Sequence, residues 1–135
     1  MWRFRTYLND GGKGVVQKSI DGLSDKGREM FKAQLRYLAS TSTPEDWHEP
    51  HAKKMHGYAG MYEIRFRDGN RQQRALGYFG PGPDDFTIVM LCSKKQNDYD
   101  PHSALNTADS RRAVAIFDPK RSACLQVDGE DFPAV

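Results

Sequence analysis

The sequence predicts an α+β fold: a small single domain with two N-terminal helices packed on an antiparallel sheet and a further helix near the C-terminus. Three observations predict it. Residues 61–79 alternate apolar and charged side chains on both sides of Asp68-Gly69-Asn70, the pattern of a β-hairpin. Residues 24–38 place Met30, Phe31, Leu35, Tyr37 and Leu38 at helical spacing. Residues 86–92, FTIVMLC, form a nearly continuous apolar run suited to a central strand.

Along the chain, WRFRTYL sets Trp2, Phe4 and Thr6 against Arg3, Arg5 and Tyr7, which predicts a strand with one face for the core. NDGG ends it. KGVVQKSIDGL predicts a short helix presenting Val15, Val16 and Ile20, and Ser24 is placed to cap a second helix. Pro44 and Pro50 break that helix. After the hairpin and the central strand, Asp100-Pro101 predicts a helix start, and Leu105, Ala108 and Ile116 give its apolar side. Asp118-Pro119 ends it. The expected division is a domain over residues 1–117 and an extension over 118–135 that holds a short strand or is a loose tail.

With 135 residues, 38% hydrophobic and 28% charged, the chain can build one core without staples. No run reaches the ~18 apolar residues that a membrane span needs, and MWRFRTYLND lacks the apolar segment of a signal peptide. The expected setting is cytoplasmic, with no membrane partner. Cys92 and Cys124 are too few for a disulfide framework, so both are read as reduced thiols, Cys92 buried in its strand.

The net charge of +2 is unevenly spread. Residues 53–95 hold 8 Lys and Arg against 4 Asp and Glu, whereas residues 96–135 hold 4 against 7. If Gly69-Asn70 is a two-residue turn, Arg65 faces Arg74, Arg67 faces Gln72, and Tyr62, Ile64 and Phe66 point to the core. Like charges directly opposed cost stability. An anion, an acidic protein, or Glu63 neutralising one arginine would relieve that cost. Lys53-Lys54 and Lys94-Lys95 flank the same small sheet, and Tyr99 follows the second pair. His48, Glu49, His51 and His56 resemble a ligand set, but Pro50 spoils helical spacing, so no metal and no cofactor are expected.

Taken together, DGGKGVVQKSIDGL, WHEPHAKKMHGYAGMYEIRF, the QQR strand and IVMLCSKK resemble the RelE/ParE toxin superfamily, and within it the phage-derived HigB-like branch. The resemblance spans about residues 1–117. It departs at Cys92-Ser93, where the family often has an aromatic or aliphatic residue, and in a longer GPGPDD loop. It implies a type II toxin, commonly a ribosome-dependent mRNA endonuclease. It also implies a helix-turn-helix antitoxin, with mRNA and the ribosome as further partners. Carried over by position, Arg65, Arg74, Lys94 and Lys95 are the expected catalytic groups, and Lys53 and Lys54 line the RNA site. Arg67, from the strand pattern, and Tyr99, beside the second lysine pair, complete the expected RNA-binding set. A ParE-like gyrase inhibitor and an inactive prophage-derived binding module remain as alternatives. The acidic residues Asp128, Glu130 and Asp131 suggest a tail that shields the basic face.

Overall fold

A computed structural model describes residues 2–132. The elements run β1 (Arg3–Tyr7), α1 (Val15–Asp21), α2 (Asp25–Ala39), β2 (Ala52–Lys54), β3 (Met61–Asp68), β4 (Arg71–Phe79), β5 (Asp85–Lys95), β6 (Asp98–Asp100), α3 (Ala104–Phe117), β7 (Ser122–Cys124), β8 (Gln126–Val127) and β9 (Glu130–Asp131). The fold is α+β, as the alternation of periods predicts. Its main sheet has the order β2-β3-β4-β5-β1-β7, with β6 added to β5.

The sheet is mixed rather than antiparallel, because β1 runs parallel to β5 with Phe4 opposite Phe86. Period-2 alternation places side chains on faces but carries no sign of strand direction. Direction follows from the path: the chain leaves β1 through two helices and returns through the β2-to-β5 meander.

The Ser24 side chain accepts from the Gly27 N–H and caps α2. Phe31, Leu35 and Leu38 then form a fully buried stripe, and Phe31 stacks on Phe66 of β3 with ring centres 4.6 Å apart. Met30 and Tyr37, expected in the same stripe, are 44% and 43% exposed. Each falls one position before a stripe residue, on the same edge of the helix, and Tyr37 instead stacks on His51. An aromatic cluster of Trp2, Phe4, Trp47, Phe79 and Phe86 fills the core beside β1. Such pairs contribute about 0.5–1.5 kcal/mol each beyond area burial.

Between β4 and β5 the register shifts after Leu76, which pairs Met90, while Gly77 pairs Ile88. Val89 is the extra residue, and its carbonyl accepts from Arg111 at 2.8 Å. A Cβ at Gly77 would collide with the Thr87 carbonyl oxygen and the Phe86 ring, so the strands close here only around glycine. Arg111 also lies over the Tyr7 ring, which puts α3 on the sheet face opposite α2. Ala104, Ala108 and Ala115 bury the α3 surface, whereas Ile116, expected on its apolar side, is 52% exposed.

Residues 118–132 are built into the domain rather than appended to it. β7 pairs β1, the Leu125 N–H donates to the Phe4 carbonyl, and Leu125, Val127 and Phe132 lie in the core. This stretch holds β7, β8 and β9 and shares its core with the elements before it. Residues 133–135 of the expected tail lie outside the described residues.

Candidate functional site

Register decides which charges share a face. The β3–β4 turn closes at Gly69, with φ +62°, and the ladder pairs Asp68 with Arg71, Arg67 with Gln72 and Arg65 with Arg74. Neighbouring strands add Lys53 opposite Glu63, Cys92 opposite Arg74, Lys94 opposite Gln72, and Tyr99 opposite Lys94. Directly opposed residues lie on one side of a sheet. The face away from α2 therefore gathers Lys53, Glu63, Arg65, Arg67, Arg74, Lys94 and Tyr99. Lys54 and Lys95 occupy alternate positions and turn the other way. Arg71 sits exposed at the turn.

Glu63 is the centre of this face and is only 1% exposed. A buried carboxylate needs partners, and it has three. Arg65 donates from Nε and Nη2 to Glu63 Oε2 at 3.3 and 3.1 Å. Arg74 Nε lies 3.5 Å from Oε1, and the Tyr99 hydroxyl donates to Oε1 at 2.9 Å. The opposed arginines thus share one carboxylate, where the sequence pattern assigned it to a single arginine. The remaining Arg74 nitrogens donate to the Gln73 carbonyl and the Gln72 side-chain oxygen, both at 3.0 Å. Arg65 Nη1 is 3.3 Å from Glu49 Oε1, which also lies 3.9 Å from Lys53 Nζ.

Burial, and then the charge of Glu63, push the Tyr99 hydroxyl well above its ordinary range. Tyr99 is accordingly a fixed donor and not a base. The Cys92 thiol is pushed up to about 12 by burial, with Glu63 adding to the effect, so it is an inert packing group. Burial also lowers the Arg74 guanidinium from its usual value, partly offset by Glu63. Arg67 is exposed, and Lys94 lies 5.0 Å from the centre of the Tyr99 ring. Among the described residues neither makes an ion pair. A cleft of about 730 Å³ opens beside them, lined by Asn70, Arg71, Gln72, Lys95 and Tyr99 among others. Five cationic groups, Lys53, Arg65, Arg67, Arg74 and Lys94, face two carboxylates, Glu49 and Glu63.

The histidine segment is spread out. His51 Nδ1 pairs with the Gln34 side chain at 2.9 Å, and His48 Nδ1 lies 3.0 Å from the Glu49 carbonyl oxygen. Among the described residues no group of three or more His, Cys, Asp or Glu is close enough to hold a metal ion. No helix there is long and apolar enough to cross a membrane.

The acidic C-terminal residues take a different place from the one expected. Asp128 pairs with Lys32 at 2.9 Å and Arg28 at 2.7 Å, and Glu130 pairs with Arg36 at 3.2 Å. They cover the basic stripe of α2 rather than the hairpin face. Sequence reasoning weighed Glu49 only within a ligand set that it set aside, and it did not foresee this α2 latch. The signal for the second was present, since Asp128-Gly129 is a two-residue hairpin turn with both φ angles positive.

Comparison with known families gives one finding. The family model described as phage-derived protein Gp49-like (DUF891), a type II toxin-antitoxin toxin-like family, matches residues 18–113. No curated protein matches the chain, and no solved structure does.

Proposed function

The chain belongs to the phage-derived Gp49-like family, and on that premise we propose that it is the toxin of a type II toxin-antitoxin module, of the HigB-like branch of the RelE/ParE superfamily, cutting mRNA on the ribosome. One observation supports this reading above the others. Among the described residues, five cations and two carboxylates, Glu49 and Glu63, occupy the end of the sheet face formed by β2, β3, the hairpin turn and the adjoining parts of β4 and β5, while α3 lies over Tyr7 of β1 on that face. An excess of fixed positive charge on an open face suits a phosphodiester backbone.

The reaction needs no cofactor. The ribose O2′ bonds to the adjacent phosphorus and gives up its proton, the bond from phosphorus to O5′ breaks, and O5′ takes a proton. The products are a cyclic phosphate and a free 5′-OH. Arginines stay protonated and serve by holding the phosphate and stabilising its growing charge, an effect of about 3–4 kcal/mol for a well-placed donor.

The expected roles separate on physical grounds. Arg67 and Lys94 make no ion pair among the described residues and are the leading phosphate contacts. Arg65 and Arg74 are tied to Glu63 and set the shape and charge of the floor. Lys53 flanks the same face, while Lys54 and Lys95 act from its margins. When Lys94 turns from the Tyr99 ring to a phosphate, the ring face it leaves stacks with a base. A helix-turn-helix antitoxin encoded alongside would neutralise the protein by bringing acidic groups to the exposed cations.

Induction in cells followed by mapping of 5′-OH ends on translated transcripts tests the reading. New ends within reading frames are expected, and their loss when translation is blocked establishes the ribosome requirement. Intact transcripts with lost DNA supercoiling would instead identify a gyrase inhibitor, and neither effect would identify an inactive binding module.

A further inference from the structure

We propose that Glu49 is a displaceable stand-in for an RNA phosphate, occupying a phosphate subsite made by Lys53 and Arg65. This rests on the RNA-binding reading above. The two carboxylates of the face differ in kind. Glu63 is buried at 1% exposure and saturated, so it is part of the floor. Glu49 is 60% exposed and comes from the loop before β2. Its Oε1 alone reaches both cations, 3.3 Å from Arg65 Nη1 and 3.9 Å from Lys53 Nζ.

Arg65 gives the geometry its meaning. Its Nε and Nη2 are committed to the buried Glu63, leaving Nη1 as the one guanidinium nitrogen directed to an exposed partner. An anionic oxygen arriving from solvent finds its place already taken by a side-chain oxygen of the same charge. Exposed ion pairs are weak and screened by salt, so such a partner yields readily. Arg65 also borders a shallow hollow with Arg67, while Glu49 and Lys53 line the neighbouring one, so Arg65, through its pair with Glu49, joins the two and Arg67 would meet the next stretch of the backbone. RNA enters by exchanging one carboxylate for one phosphate, and Glu49 thereby lowers affinity for isolated anions without altering the floor.

The test is binding of a single-stranded oligonucleotide carrying 2′-deoxy sugars, which cannot be cut, to the full chain over a range of salt. Four proteins are compared: wild type, Glu49→Gln, Glu45→Gln and Arg67→Ala. Glu45 lies in the same exposed segment and makes no ion pair among the described residues, so it controls for net charge. Glu49→Gln is expected to tighten binding roughly two- to fivefold and to steepen the salt slope by up to about 0.7, the value of one phosphate contact on a single strand. Glu45→Gln is expected to move neither by a comparable amount. Equal tightening by both glutamines overturns the inference in favour of a general charge effect. No tightening by Glu49→Gln, with binding still weakened by Arg67→Ala, overturns it while leaving the RNA face in place. Failure of the wild-type protein to bind, with no change in any variant, removes the RNA reading and this inference with it.

Discussion

The sheet face around Glu63 and the outer stripe of α2 carry similar densities of lysine and arginine, yet they are in opposite electrostatic states. On α2, Arg28, Lys32 and Arg36 meet Asp25, Glu29, Asp128 and Glu130, so that four carboxylates serve three cations. On the sheet, two carboxylates serve five. Two patches with similar cation counts thus differ in their local supply of carboxylate, and the proposed binding role goes to the one in deficit. At α2 half of that supply, Asp25 and Glu29, is local, and the other half, Asp128 and Glu130, arrives from about a hundred residues away when the β8–β9 turn docks. Among the described residues the open end of the sheet face receives Glu49 and Glu63, both from its own neighbourhood, with Asp98 and Asp100 at the rim of the adjoining cleft, and Arg67 and Lys94 are left without an ion pair.

The harshest way to break this contrast is to remove Glu63. Arg74 keeps a side chain only 10% exposed, and without Glu63 it would be a buried cation with no countercharge. Glu63→Gln is expected to destabilise the fold by about 3 kcal/mol or more, read as a shift of the urea midpoint at constant slope. Glu29→Gln on α2, at an exposed carboxylate with a second anion beside Lys32, is expected to shift the midpoint far less. Equal shifts would mean that the two clusters are not different in kind. The same logic makes Arg65→Ala and Arg74→Ala poor tests of activity, since each removes one of the two countercharges of the buried Glu63 and confounds folding with chemistry.

Arg67→Ala and Lys94→Ala sharpen the contrast from the other side. Among the described residues neither side chain has an ion-pair partner to abandon, so each variant is expected to keep its stability within about 0.5 kcal/mol. Each is expected to weaken binding of a non-cleavable oligonucleotide about tenfold, the value of a charge-assisted contact, and to relieve growth arrest in cells. A loss of stability without a loss of affinity would move both residues into the structural class.

The hairpin was legible in the sequence down to its register, because Asp68-Gly69-Asn70 fixes the turn and the alternation fixes the faces. Phe4, Phe31, Leu35 and Ile64 were legible as core for the same reason. Three features were not. The parallel pairing of β1 with β5 leaves no mark in a period of two. The Val89 bulge depends on how Gly77 meets Thr87 and Phe86 across strands. The third partner of Glu63, Tyr99, sits on strand β6, which is three residues long and follows a single turn. In the candidate site, the identity of the basic groups was readable from one strand at a time, whereas their state of pairing required the neighbouring strands.

The smallest expected effect, and the one that reads the α2 cluster directly, is Asp128→Asn. Asp128 has φ +55°, a conformation that asparagine also tolerates, so the substitution changes charge without straining the turn. Hydrogen bonds from Lys32, then from Arg28, hold the Asp128 carboxyl below its usual value of 3.8. A depressed folded pKa stabilises the fold above the unfolded value, and this contribution fades as pH falls through the folded one. Wild type is therefore expected to exceed Asp128→Asn in unfolding midpoint at pH 7, and the gap is expected to close as the pH drops below 3.8. A gap that stays constant down to pH 2 would assign the difference to packing of the turn rather than to its charge. Oligonucleotide affinity is expected to change little in this variant, because Glu29 and Asp25 remain beside the cations that Asp128 releases. If binding instead tightened as much as in Glu49→Gln, the α2 stripe would be a second anion site held shut by the C-terminal turn, and the distinction between the two clusters would fail.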